Sequence, residues 1–399
     1  MLLRLLVNIV FLLFCVNATG KATDDIYINA YVGVGYVYES DNNFIHSEKD
    51  SNKLIESALN LTYEYSNNIS FAGQVAYREF GEYFTDKTLR IDYAKLNYTD
   101  SFINDSEQSL SIGRIKIPSG VYNSSRDTPI TRPSIIMPQS AYLDLFRNLW
   151  LSTDGVMLSS SHQLTQGIVD LTLGYGKLHI DDNFSDVTLG SETSGDWVEG
   201  NITVFDLRYN SGDLLFGLSY NHVHPEYLKV SSDTLPIYPI GNKIPSISNG
   251  DVEVSTYVAF IQYNINRFEI TSEYTYRDVV VSGYTPTPPN SRPMEGYYAQ
   301  LKYAATSSLN LMLRHEKFYR FAESKNGLET LIGIDPAWYN NATTSSIGFN
   351  YNIDEHWSVI ADIHYVEGSG WLPPFSYQVP ESVEKKHWTL AAFEVVYVF

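Results

Sequence analysis

The final strand of this chain limits the possible folds more than any other segment. Counting back by twos from the last residue, Phe399, gives Tyr397, Val395, Phe393 and Ala391, an apolar stripe that ends on an aromatic ring. The ends of soluble domains tend to fray and to be polar. A barrel that spans a membrane needs the opposite, because its last strand pairs with its first strand and its outer stripe faces lipid. The stripe therefore predicts an all-β fold, namely a transmembrane antiparallel β-barrel.

The start of the chain has the features of a secretory signal peptide, which we assign to residues 1–22. Arg4 supplies an early cation, a short apolar run follows, and small residues come after it. Cleavage is expected after Ala18 or after Ala22. The mature barrel would then comprise residues 23–399 and would be exported from the cytoplasm.

Composition excludes several partners and chemistries. The formal net charge of −19 disfavours nucleic acid, which binds clustered Lys and Arg. The only cysteine, Cys15, lies in the predicted leader, so the mature chain would have neither disulfides nor cysteine metal sites. The 31 tyrosines suit the boundary between lipid and water. An aromatic-rich soluble β-sandwich would have a similar composition and is the alternative at this stage.

Segments of about ten residues with alternating polarity recur along the chain, as they do in membrane barrels. In one of them Leu59, Leu61 and Tyr63 alternate with Asn60 and Thr62. A Lys or Arg that faces lipid near the membrane midplane costs roughly 2–4 kcal/mol, so the charged stripe of each strand must face inward. We therefore expect a wet pore lining in the interior rather than a packed core.

The connections between these segments are alternately short and long. Tight turns at one end and long loops at the other match the two rims of a membrane barrel, and the strands number about 16. A barrel of that width leaves an aqueous channel. The short connections lie at 66–68, 165–167, 211–213, 264–266, 305–307 and 354–356, and the long ones at 39–56, 179–197, 225–250, 281–293, 322–342 and 368–385.

The longest interruption of the strand pattern covers about residues 116–154. Prolines prevent it from continuing a sheet: Pro118, Pro129, Pro133 and Pro138. A loop of this length is usually functional or disordered, and the apolar run 135–137 argues against disorder.

Motifs in this interruption resemble the third-loop region of Gram-negative outer-membrane porins of the 16-stranded barrel superfamily, and most of all the Opr-like branch. The terminal stripe likewise resembles the signature that the barrel-assembly machinery reads, with Phe399 as its last residue. The resemblance implies a homotrimer in contact with outer-membrane lipid and lipopolysaccharide, and a third loop that folds inward to narrow the pore. The motifs are Gly113–Lys116, Gly120–Asn123, Arg126–Asp127, Thr131–Ile135, Pro138–Ser140 and Arg147–Leu149.

Charged residues of this loop and of the predicted strands are the candidate lining of the constriction. Rings of charge in a narrow pore discriminate between ions. The same side chains would also serve to pin the loop by pairing with each other and with the wall, and both roles stay open. The candidates are Arg114, Lys116, Arg126, Asp127, Arg132, Asp144 and Arg147 in and beside the loop, and Arg78, Arg90, Arg208, Lys302 and Arg314 on strands.

The predicted function is passive diffusion of small hydrophilic solutes and ions through a water-filled channel. A more selective channel for anions or small organic solutes is the alternative, followed by a fatty-acid-type transporter or a barrel enzyme. We predict no catalytic residues, no metal site and no cofactor, because no catalytic or nucleotide-binding motif occurs. His222 and His224 have strand spacing, but exposed histidines at a strand end are commoner than metal ligands.

Overall fold

The computed structural model describes most of the chain outside the predicted leader. The predicted signal peptide and its expected cleavage sites lie outside the described residues. These residues are 25–42, 44, 53–80, 89–103, 106–180, 184, 195–198, 200–230, 235–237, 242–244, 248–283, 290–325, 337–372 and 385–399.

Sixteen long strands make up the described fold, in the number that the sequence predicts. They are β1 Ile26–Glu39, β2 Lys53–Glu64, β3 Ile69–Phe80, β4 Arg90–Ile103, β5 Ser106–Lys116, β6 Ser152–Leu164, β7 Gly167–Leu178, β8 Asn201–Asn210, β9 Leu214–Val223, β10 Gly250–Ile265, β11 Phe268–Ser282, β12 Met294–Ala304, β13 Leu309–Tyr319, β14 Asn341–Asn352, β15 Trp357–Gly368 and β16 His387–Val398.

Each strand pairs antiparallel with its neighbours in sequence, and β1 pairs with β16 to close the barrel. The closing register runs from Tyr31 opposite Val398 to Glu39 opposite Leu390. The backbone N–H of Phe399 extends the pairing by donating to the carbonyl oxygen of Ala30 at 2.9 Å. The predicted antiparallel barrel is therefore confirmed, and its last strand closes onto the first.

Side chains alternate between an exposed apolar outer face and a polar inner face. On β13, Leu311 and Leu313 are exposed whereas Arg314 and Glu316 are buried. On β16, Phe393 is exposed and the next residue, Glu394, is buried. This alternation follows from the two-residue period of a strand. Where β3 pairs with β4, the register shifts between Gln74 and Val75, as at a β-bulge.

Shorter elements complete the described structure. Three strand segments, Asp196–Val198, Glu226–Leu228 and Asn290–Ser291, join the main sheet, and Leu235–Ile237 pairs with Asn242–Ile244 in a separate ribbon. Three 3-10 turns lie at Pro129–Thr131, Asp144–Phe146 and Ala337–Tyr339, and one α-helix, α1, at Arg147–Leu151. Within the described ranges no helix has the length and apolar character needed to cross a membrane.

The interior is drier than the sequence predicts. Inner-face residues near the strand ends that carry the long connections are apolar, for example Leu54, Phe80 and Val366, and residues outside the strands pack on them, including Phe44 and Trp371. A second apolar cluster lies on strands β5 to β9. The expectation of a wet lining without a packed core was therefore wrong for this end of the barrel. Alternation along one strand identifies its inner face but not which distant segments cover that face.

Candidate functional site

The long connection between β5 and β6, residues 117–151, is the β5–β6 segment. Its two ends are tied together, because the N–H of Ile117 donates to the carbonyl of Leu151 at 3.0 Å. The amide of Asn123 adds two bonds of 2.8 Å, to the carbonyls of Ile117 and Trp150. The prolines stop strand pairing, and these hydrogen bonds hold the two ends of the segment together where the strand pairing ends.

Two parts of the segment, one near its start and one at residues 140–142, contact the inner faces of β9, β11 and β12. The N–H of Gly120 donates to the Ser219 hydroxyl at 3.1 Å. The Tyr142 hydroxyl donates to the Glu273 carboxylate at 2.6 Å. Gly296 on β12 has no side chain where the segment passes, and a Cβ there would collide with the carbonyl of Ser140. These contacts fix the segment against the wall by backbone as well as side-chain groups.

The part of the segment from Arg132 to Ile136 binds β13, β15, β16 and β2. The Arg314 guanidinium donates to the Ser134 hydroxyl at 2.8 Å and to the Ile136 carbonyl at 2.9 Å. The N–H of Ile135 donates to the Asp362 carboxylate at 2.5 Å. The Ser134 hydroxyl also donates to the Ile136 carbonyl at 2.6 Å, and the wall supplies the other partners that this extended, proline-containing stretch lacks.

Arg132 holds two carboxylates at once. Its guanidinium lies 2.7 Å from Glu56 on β2 and 2.9 Å from Glu394 on β16, and Arg78 donates to Glu56 at 2.6 Å. All four side chains are buried. Burial alone would lower the pKa of Arg132, but the two carboxylates outweigh it and raise that pKa. Arg132 is therefore a charged anchor that ties the segment to β2 and β16, the two strands that flank β1.

A second buried ion pair lies within the segment. The Arg126 guanidinium donates to Asp144 at 2.6 Å, and the Gln139 amide donates to the same carboxylate at 2.8 Å. Burial lowers the pKa of Arg126 to about 10 even though Asp144 opposes the shift. Arg147, the first residue of α1, is buried as well. Arg126 and Asp144 hold the segment in shape, and little solvent reaches either of them or Arg147.

Four of the candidate cations keep partial contact with solvent on the inner side of the barrel wall. Arg90 pairs with Asp92, and Arg208 with Asp206. Lys116 lies 2.8 Å from Asp127, and Lys302 lies 3.1 Å from Glu269. The predicted set thus divides in two. Buried members are Arg78, Arg126, Asp127, Arg132, Asp144, Arg147 and Arg314, and partly accessible members are Arg90, Lys116, Arg208 and Lys302.

Arg114 is not on the inner face, which corrects its assignment to the pore lining. It shares the outer face of β5 with the exposed Leu110 and Ile112, two and four residues earlier. Its guanidinium donates twice to Asp154 on the neighbouring strand, at 2.7 Å each. Proximity to the loop suggested a lumenal role, but the period of two along β5 groups Arg114 with Leu110 and Ile112. Lys116, the last residue of the strand, instead reaches the segment at Ser124 and Asp127.

The structure also brings together a polar triplet that the sequence did not reveal. Ser346 on β14 lies 2.7 Å from Nδ1 of His364 on β15, and Nε2 of His364 lies 2.8 Å from Asp362. All three residues are buried, and Asp362 also accepts the N–H of Ile135. Ser346 lies opposite His364 in the β14–β15 register, a pairing that only the strand alignment discloses. Through Asp362, the triplet is hydrogen-bonded to the β5–β6 segment.

A cavity of about 350 Å³ lies on the side of the segment that faces the short turns. Residues 130–133 of the segment form one wall, and strands β12 to β15 form the other. Its polar lining includes Lys302, Asn310, Asn350 and Ser358. Space for water is therefore present beside the segment at this end.

Comparison with known proteins identifies the fold. No protein-family model matches this sequence, and no curated protein matches it. Among solved structures, the trimer form of OmpT from Vibrio cholerae is 11% identical with a TM-score of 0.56, covering 94% of this chain and 99% of that chain. An anion-selective porin from Comamonas acidovorans is 10% identical with a TM-score of 0.54, covering 94% and 99%. OprB of Pseudomonas putida is 11% identical with a TM-score of 0.52, covering 94% of each chain.

These likenesses extend over nearly the whole chain, so they define its class. The chain has the fold of the outer-membrane β-barrels, a closed antiparallel barrel of sixteen strands. At identities this low the neighbours show the fold alone, and the Opr-like branch stays a prediction.

Proposed function

We propose that this protein is an outer-membrane porin through which small hydrophilic solutes and ions diffuse passively. The β5–β6 segment folds into the lumen and narrows it, as an inward third loop would. The exposed apolar outer faces supply the surface that lipid requires, and the polar inner faces supply a path for water.

The observation that supports this proposal most is the distribution of contacts around the β5–β6 segment. The segment leaves β5 and bonds with inner-face groups as distant as Glu273 on β11, Glu316 on β13 and Glu394 on β16. Along its other edge, charged side chains such as Arg208 and Lys116 keep part of their surface in solvent. A segment anchored on one side and wet on the other narrows a channel without filling it.

Other functions fit the described residues less well. The Ser346, His364 and Asp362 triplet has the composition of a hydrolase triad, but its serine is buried beneath the segment. A nucleophile has to reach a substrate carbonyl, and general bases act within hydrogen-bond distance of the group they deprotonate. We therefore assign this triplet to anchoring and retain a non-enzymatic function.

Reconstitution tests the proposal. The mature chain, residues 23–399, is folded into detergent and added to a planar lipid bilayer at symmetrical salt. We expect stepwise increases of current that a detergent blank does not give. Absence of conductance steps from a chain whose far-ultraviolet circular dichroism is that of a folded β-barrel would refute an open pore.

Export and assembly follow from the same proposal. We expect the mature protein in outer-membrane fractions, as a homotrimer in contact with lipopolysaccharide, with Phe399 needed for delivery to the barrel-assembly machinery. Deletion of Phe399 also removes the bond to the Ala30 carbonyl that extends strand closure. Membrane fractionation measures the location, and unheated gel electrophoresis measures the oligomeric state. A monomer found in the outer membrane would contradict the predicted trimer but not the predicted location.

A further inference from the structure

In the four partly accessible ion pairs on the inner side of the wall, the cation is more exposed to solvent than its carboxylate. Side-chain exposure is 21% for Arg90 against 0% for Asp92, and 19% for Lys116 against 1% for Asp127. The same bias holds for two further pairs: Arg208 with Asp206 at 20% and 3%, and Lys302 with Glu269 at 31% and 23%. Each pair is a dipole with its positive end toward water.

Three of these cations touch the β5–β6 segment along one edge. Arg90 donates to the side-chain oxygen of Asn148, Lys116 donates to the Ser124 carbonyl at 3.1 Å, and Arg208 donates to the Gly120 carbonyl at 3.0 Å. Strands β4, β5 and β8 supply the three side chains. The wet edge of the segment is therefore lined by cationic groups.

The opposite edge has charges of both signs, and although Arg132 borders the cavity described above, these side chains are almost wholly buried. Arg132 and Arg314 are buried with the carboxylates Glu56, Glu394 and Glu316. A permeating ion interacts most strongly with the charges nearest to its path, because Coulomb energy falls with distance and with rising dielectric. The buried charges therefore bear less on ion choice than the accessible ones.

Lys95 adds a positive charge to the wet side. It lies on the inner face of β4, two residues after Tyr93, and is partly exposed. Its cross-strand neighbours are Ala72 and Gly113. Among the residues that the structure describes, it forms no ion pair. Lys95 thus contributes a full charge where the pairs contribute dipoles.

We propose that the lumen bordered by the wet edge of the β5–β6 segment prefers small anions, such as chloride and short carboxylates, over cations. This inference rests on the proposed porin function. It runs against the net charge of −19, from which cation preference would be expected. The local field is set by Arg90, Lys95, Lys116 and Arg208, because their carboxylate partners lie behind them or are missing.

Reversal potentials in a potassium chloride gradient test the inference. The wild-type channel should show a chloride-to-potassium permeability ratio above one. Lys95→Glu should lower that ratio by roughly thirtyfold, because reversing one unit charge about 8 Å from the path in a water-like medium changes chloride and potassium permeability by about sixfold each, in opposite directions. Lys177→Glu is the matched control, since Lys177 is exposed on the outer face of β7 beside Tyr175.

A wild-type ratio at or below one, or equal ratios for both variants, would overturn the anion preference while leaving the porin function intact. Absence of conductance would instead overturn the porin function and the inference with it. Lys95→Gln provides a second variant if the charge reversal prevents folding. It should shift the ratio in the same direction by a smaller factor, and no shift would count against the inference.

Discussion

Removal of the Arg132 guanidinium should both destabilise the barrel and release the β5–β6 segment. Arg132 neutralises Glu56 and Glu394, which lie 2.7 and 2.9 Å away in a buried site. Breaking a buried ion pair by removing one partner costs about 3–5 kcal/mol, because a charge is left without compensation. Arg132→Leu leaves two carboxylates in that state, with only Arg78 beside Glu56. We therefore expect a loss in the upper part of that range.

The free energy of unfolding can be measured by urea titration in phospholipid vesicles, with tryptophan fluorescence as the signal. Lys386→Leu is the control, because its pair with Glu367 is exposed on both sides and such pairs contribute at most about 1 kcal/mol. Glu56→Gln and Glu394→Gln, added to Arg132→Leu, should restore much of the lost stability by removing both charges.

The same variant should change the channel. With its anchor lost, the segment no longer holds its position against β2 and β16, so we expect larger and noisier conductance steps. A destabilisation of less than about 1 kcal/mol, together with unchanged single-channel conductance, would refute the view that Arg132 anchors the segment.

Three further changes probe other contacts. Gly296→Leu should raise single-channel conductance, since its side chain would collide with the Ser140 carbonyl and displace the segment. Gly73→Ala, whose added Cβ meets only ordinary contacts, should not. Equal conductance in the two variants would contradict close packing of the segment on Gly296. Arg114→Gln should leave the reversal potential unchanged because the side chain faces outward, and a shift would return it to the pore. Ser346→Ala should lower stability by about 1 kcal/mol through one lost hydrogen bond without altering conductance, as measured by urea titration and bilayer recording.

Strand alternation and strand closure were predictable because both follow from local geometry. A period of two identifies the lipid stripe of β16 without knowledge of any partner, and a barrel has to place its last strand beside its first. The β5–β6 segment was also visible, since prolines interrupt a pattern that otherwise continues.

The partners of the segment were not predictable, because they are distant in sequence. Arg132 contacts Glu56 and Glu394, which are 76 and 262 residues away. Nothing local links these positions, and many other arginines and carboxylates would satisfy the same rule of opposite charge. The apolar clusters inside the barrel could not be predicted for the same reason, since Phe44 and Trp371 reach the wall from segments outside the strands.

Burial and selectivity place opposite demands on the charges of one lumen. A segment with little secondary structure exposes backbone and side-chain groups that need partners, and a buried partner such as Arg314 or Asp362 meets that need where water is absent. A charge used in this way is compensated and lies away from the permeation path. A charge that selects ions has to stay in contact with water, as Lys95 and Arg208 do. Counting charges along a sequence adds the two kinds together, so ion preference follows from which end of each pair faces solvent and not from the net charge.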